Sequence, residues 1–268
     1  MRQNILHTAL SLVVILMVSS CTEEKDDILE FDLDSSRDHA QAESYWNDIF
    51  KTVDEVSRDT PGIKSITCID TLIIDTLSSP RSIFIDFGDE DCLGQDGRTR
   101  RGGILVTYSD RYRAEGAVIT VTPEDYHVND HLVQGTKTVT NQGTNEQGNL
   151  YFTVEVMDAS ISAPDDAWTS TWESTRTREW LEGEETLQVL DDVYSITGTS
   201  TGVNRNGLPF SVSTTEPLLV EIGCPWIVSG TIEMEPEDGI TRSVDYGDGD
   251  CDNDAMVVIN GNAYPIEL

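Results

Sequence analysis

Two features of this sequence are able to do chemistry: a pair of oxygen-rich loops and a run in which tryptophan and arginine interleave. The loops share the pattern D-[FY]-G-D-x-D-C, as IDFGDEDC over Ile85–Cys92 and VDYGDGDC over Val244–Cys251. One copy gathers Asp86, Asp89, Asp91 and Asp96, and the other Asp245, Asp248, Asp250, Asp252 and Asp254. Ca²⁺ takes about six to eight hard oxygen ligands, so Asp248, Asp250, Asp252 and Asp254 are the candidate Ca²⁺ ligands. The helix-loop-helix calcium pattern is not met, because Asn253 and Ile259 stand where its glycine and its closing glutamate belong. The same Asp and Gly residues also suit Asx-type turns next to a cysteine. No other cofactor is indicated.

The interleaved run is WTSTWESTRTREW, Trp168 to Trp180. As a strand it puts Trp168, Trp172, Arg176, Arg178 and Trp180 on one face, because side chains alternate. An open face of this kind is a stacking platform for sugar rings; a covered one is a cation–π stripe, each contact worth roughly 0.5 to 2 kcal/mol. The N-terminal helix described below is a candidate cover. The histidines add little, with His39 at the start of that helix and His127 and His131 flanking an Asn129-Asp130 turn. No G-x-S-x-G, H-E-x-x-H, G-x-G-x-x-G or phosphate-binding loop is present. With 49 acidic residues, almost any fold brings two carboxylates to glycosidase spacing, so such pairs carry no signal.

The elements that hold these residues are mostly strands. Runs such as Ile104–Tyr108, Ala117–Thr122, Leu150–Val156, Leu218–Ile222 and Ile227–Met234 are β-branched or alternating. Between them fall Asn/Gly turn signals at Asn141-Gln142-Gly143, Asn204 to Gly207 and Asn260-Gly261. Cys68 to Cys92 and Cys224 to Cys251 each read as cysteine, strand, turn, strand, Asp-rich loop, cysteine. That repeat favours the pairings Cys68–Cys92 and Cys224–Cys251, with crossed pairings as alternatives. A weaker repeat, G-T-x-T-x-x-N, links Gly135 and Gly198. The fold class is all-β, an antiparallel meander forming a sandwich or a curved half-barrel. One amphipathic helix precedes it over residues 35–58. Ser36 caps this helix, Ala42, Tyr45, Trp46, Ile49, Phe50, Val53 and Val56 form its apolar face, and Asp48, Lys51, Asp54 and Glu55 its polar face.

Charge and the N-terminus set the address. The 268 residues carry 17 Lys and Arg against the 49 acids, a formal charge of −32. That excludes sequence-independent nucleic-acid binding and adsorption to an anionic bilayer through a basic face. Arg2, the apolar run Ala9–Val18 and Ser19-Ser20-Cys21 form an export signal over residues 1–20. Val18-Ser19-Ser20-Cys21 resembles a lipobox, which implies cleavage before Cys21 and its acylation. Residues 21–34 then read as an acidic tether and 59–268 as the β domain, so the membrane is a partner through the N-terminal lipid.

The runs GQDGRTRRG (Gly94–Gly102), ILVTYSDRYR (Ile104–Arg113), TRTREW (Thr175–Trp180), VYSITGT (Val193–Thr199) and the C-terminal VDYGDGDC resemble a group of Gram-negative outer-membrane and surface lipoproteins. The resemblance implies an exported, lipid-anchored β protein, facing the periplasm or the cell surface, and brings no ligand or catalytic residue with it. The functional expectation is a non-catalytic structural or interaction lipoprotein with a protein or glycan partner. A carbohydrate-binding module is the alternative, and a hydrolase with an acidic cleft a third reading.

Overall fold

The computed structural model describes residues 23–57, 68–186, 188, 190–237 and 239–267. Cys21, the export signal and the lipobox lie outside them. Helix α1 spans Glu23–Ser57. It is followed by β1 (Thr71–Asp75), β2 (Arg81–Asp86), β3 (Cys92–Leu93), β4 (Thr99–Tyr108), β5 (Val118–Val128), β6 (His131–Thr144) and β7 (Leu150–Ser162). Then come β8 (Thr169–Glu182), β9 (Val193–Val203), β10 (Pro209–Glu221), β11 (Ile227–Pro236), β12 (Arg242–Asp248), β13 (Asp254–Ile259) and β14 (Asn262–Glu267). All fourteen strands belong to one antiparallel sheet in meander order, with the short β3 pairing beside β4. The sheet is open, with β1 and β14 at its edges. Of the two expected forms, this is the curved single sheet and not the two-sheet sandwich.

The sheet curves around helix α1. Strands far apart in the sheet reach the same helix: Arg100 of β4 and Tyr126 of β5 bind Asp48, and Lys137 of β6 donates to the Trp46 carbonyl. Arg176 of β8 pairs with Glu43, and Ser36 donates to the Met234 sulfur on β11. Ala42, Tyr45, Trp46, Ile49 and Val53 lie in one hydrophobic cluster with inward residues from Ile83 on β2 to Ile259 on β13. Each large apolar side chain buried there contributes roughly 1.5–3 kcal/mol. The residues of this cluster run from Leu33 to Ile266. Among the described residues no helix is long and apolar enough to cross a membrane.

The helix corrects two expectations. It is already helical at Glu23 and is not capped at Ser36, so the helix expected over 35–58 extends back through residues 23–34, the stretch read as an acidic tether. Ser35 and Ser36 are buried inside it, and Asn204 Nδ2 donates to Ser35 Oγ at 2.8 Å. Asp48, assigned to the solvent face, is buried with Arg100.

Both cysteine pairs close as the repeat suggested, Cys68 with Cys92 and Cys224 with Cys251. Each brackets a hairpin, β1–β2 or β11–β12. The shared D-[FY]-G has a common physical cause. Asp86 Oδ1 accepts from Gly88 N at 2.8 Å and Asp245 Oδ1 from Gly247 N at 2.9 Å. The glycines sit at φ +84° and +93°, and the intervening Phe87 and Tyr246 are both buried. The weaker glycine repeat also has one cause. A Cβ on Gly135 would meet the Ala159 backbone and one on Gly198 the Arg176 backbone, so only glycine permits these close strand approaches.

Candidate functional site

The alternation of β8 fixes what its side chains can do. Trp172, Arg176, Arg178 and Trp180 share one face as expected, but it is the inner face, beneath α1, and they are 4%, 4%, 5% and 1% exposed. Of the two alternatives for Trp168, Trp172, Arg176, Arg178 and Trp180, the covered stripe is the one formed, and the open sugar-stacking platform is not. Trp168 lies just before β8, half-buried, with the Arg205 guanidinium 4.1 Å above its ring and the His131 ring 5.5 Å away.

Four cationic side chains form ion pairs that fix α1, Arg98 among them, with its Nη1 3.2 Å from Asp48 Oδ1. Arg100, 1% exposed, donates to both oxygens of Asp48, at 3.2 and 2.5 Å, and also binds Asp96. These carboxylates push the arginine's pKa further up against the opposing effect of burial. Arg176 holds Glu43 at 2.5 Å. Burial opposes ionisation of Glu43, but Arg176 more than offsets it and keeps the carboxyl below its usual range. Arg205 binds Asp38, its backbone N–H donating to Oδ2 at 2.6 Å. His39 accepts from Trp172 Nε1 at 3.2 Å through Nδ1, and its Nε2 lies 3.9 Å from Glu43. Burial holds its pKa down to about 4; Glu43 opposes and Arg176 reinforces that shift.

Two cations break this pattern. Among the described residues neither Arg178 nor Lys137 has a carboxylate within ion-pair distance. Lys137 Nζ donates to the Trp46 carbonyl at 3.2 Å and sits 5.3 Å over the Phe50 ring. Burial, with Arg178 adding to it and Glu43 opposing, pulls its pKa down to about 7. The Arg178 guanidinium lies in an aromatic cage, 4.1 Å from the Phe50 centroid, 5.0 Å from Tyr194, 5.3 Å from Phe152 and 5.8 Å from Tyr112. Its one hydrogen bond among the described residues runs from Nη2 to Tyr112 Oη, and its buried Nε has no acceptor. A guanidinium has five N–H donors, so most of this one's capacity is unused.

Arg178, Phe50 and Tyr194 also line a cavity of about 370 Å³ between α1 and strands β8 to β12 and β14. Ile196, Val220, Ile222, Trp226, Ile227 and Tyr246 supply its apolar wall. That volume is at the small end of ligand sites, roughly 300–1,000 Å³. A wider, shallower groove across β7 to β11, beside Trp172 and Phe210, carries Asp158, Glu173, Glu235 and Glu237. No family model, curated protein or solved structure matches this chain.

The Asp loops have other occupations. In the first copy Asp96 binds Arg100 and Asp91 binds Arg101 at 2.6 Å. In the second, Asp248, Asp250, Asp252 and Asp254 are exposed or half-exposed, and Asp252 Oδ1 accepts from Asp254 N at 3.0 Å in an Asx turn. Among the described residues no three His, Cys, Asp or Glu side chains converge as a metal-ligand set. Sequence reasoning did not single out Lys137, Phe50, Tyr112 or Tyr194 as neighbours of Arg178. The available signal was the lysine at Lys137 in an otherwise strand-like run, a cation at an inward position.

Proposed function

We propose that this protein is an outer-membrane lipoprotein, anchored through an acylated Cys21, which works by binding and not by catalysis. The observation that carries the reading is where the polar side chains go. Asp38, Glu43, Asp48, Asp96, Arg100, Arg176 and Arg205, which could otherwise build a reactive cleft, are engaged in ion pairs that lock α1 against the sheet. The lipobox-like Val18-Ser19-Ser20-Cys21 supports the anchor. Three acyl chains at about 0.8 kcal/mol per buried CH₂ hold a protein on a bilayer essentially permanently. The strong negative charge keeps such a domain soluble and off anionic surfaces. Growth with an alkynyl palmitate tests the reading: the wild-type chain takes up the label and Cys21→Ala does not. Equal labelling of both chains would reject Cys21 as the anchor.

A further inference from the structure

We propose that the cavity between α1 and strands β8 to β12 and β14 binds a small single-headed amphiphilic anion, its head on the Arg178 guanidinium and its tail against Ile196, Val220, Ile222 and Trp226. The inference does not depend on how the chain is anchored. It rests on three observations that meet at one place. Arg178 is 5% exposed, and stripping water from a guanidinium costs several kcal/mol unless a counter-charge or hydrogen bonds offset it. The inward arginines Arg100 and Arg176 each have such a carboxylate, whereas Arg178 has aromatic faces and one tyrosine hydroxyl among the described residues. The same guanidinium lines a cavity whose remaining wall is largely apolar.

Charge decides the sign of the ligand. Around the head position stand Arg178, with Lys137 behind it over the shared Phe50 ring. Of the two carboxylates that line the cavity, Glu43 is already held by Arg176 and Glu267 is exposed at the end of β14, while Arg37, Lys51 and Arg98 add positive charge to the lining. In a chain of net charge −32, a buried cationic spot with unused N–H donors selects for an anion. A carboxylate or phosphate monoester suits it, because a guanidinium can donate two parallel N–H bonds to either. The apolar wall then selects for an alkyl or similarly apolar tail, and the volume limits its length to that of a medium chain.

The test is isothermal titration of residues 22–268 with decanoate, decyl phosphate, decanol and decyltrimethylammonium. Saturable one-site binding of decanoate or decyl phosphate supports the proposal, provided decanol and the cationic analogue bind roughly tenfold more weakly or worse. Which of the two anions binds better identifies the head group. Ile222→Trp, which fills the tail site from a half-exposed strand end, should reduce that affinity by about tenfold with the unfolding midpoint unchanged. Arg178→Gln should remove the preference for anion over alcohol. Equal affinity for decanoate and decanol would overturn the proposal, as would anion binding unaltered by Ile222→Trp, or no saturable anion binding up to about 1 mM. The probe comparison and Ile222→Trp decide the matter even if Arg178→Gln does not fold.

Discussion

His39 makes the stability of this protein pH-dependent in a calculable way. The imidazole is buried between α1 and β8, and its Nδ1 accepts the Trp172 indole proton. Protonation would put a donor where an acceptor is needed and would charge a buried ring. Its pKa is accordingly held at about 4, against 6.5 for the unfolded chain. With the folded value below the unfolded one, the unfolded chain takes up the proton first. His39's contribution is therefore complete above about pH 6.5 and is lost as pH falls toward 4. Between pH 7 and pH 5 the loss comes to about 2 kcal/mol. The perturbation is His39→Gln, whose amide oxygen can still accept from Trp172 but does not titrate. Urea unfolding followed by tryptophan fluorescence at pH 7, 6 and 5 should give a stability that falls about 2 kcal/mol more in the wild type than in the variant. The comparison removes the shared contribution of the carboxylates, which titrate in both chains. Parallel pH profiles over that interval would refute the reasoning and mean that protonated His39 is accommodated without cost.

Asp48→Ala leaves the buried Arg100 with Asp96 alone and should destabilise the chain by about 3–5 kcal/mol in urea unfolding, with Asp48→Leu/Arg100→Met recovering most of the loss. Lys137→Met should raise stability at pH 7 by roughly 1–3 kcal/mol, because a buried ammonium lacking a carboxylate partner is replaced by an apolar side chain of similar length; the same urea experiment at pH 7 reads it, and an unchanged or lower midpoint would count against the reading.

Local patterns in this chain were legible where they recur. The two D-[FY]-G-D-x-D-C loops announced a repeated hairpin, and the pairing of Cys68 with Cys92 and Cys224 with Cys251 followed from it. Alternation along Trp172, Arg176, Arg178 and Trp180 placed four side chains on one face of β8. It could not say which face, because a period of two is the same whether the stripe looks at water or at a helix. The helix itself was legible from Ala42 to Val56, where apolar residues recur every three or four positions, but its start was not. From Glu23 to Asp34 the sequence is rich in acidic residues, a pattern that reads equally as solvated spacer. Asp48 was misplaced for a related reason. Its counter-ion Arg100 lies 52 residues away, and pairing at that separation exists only once the sheet has curved. The cavity beside Arg178 assembles α1, β8 to β12 and β14, so no contiguous motif could mark it.

Anchoring through Cys21 is the claim on which the functional reading stands, and intact-mass analysis of the protein purified from the outer membrane tests it most directly. The account predicts a mature chain beginning at Cys21 whose mass excess matches thioether-linked diacylglycerol plus an N-acyl chain, and whose four remaining cysteines resist alkylation until reduced. A mature chain that starts at any other residue, or one that carries Cys21 without lipid, would contradict it.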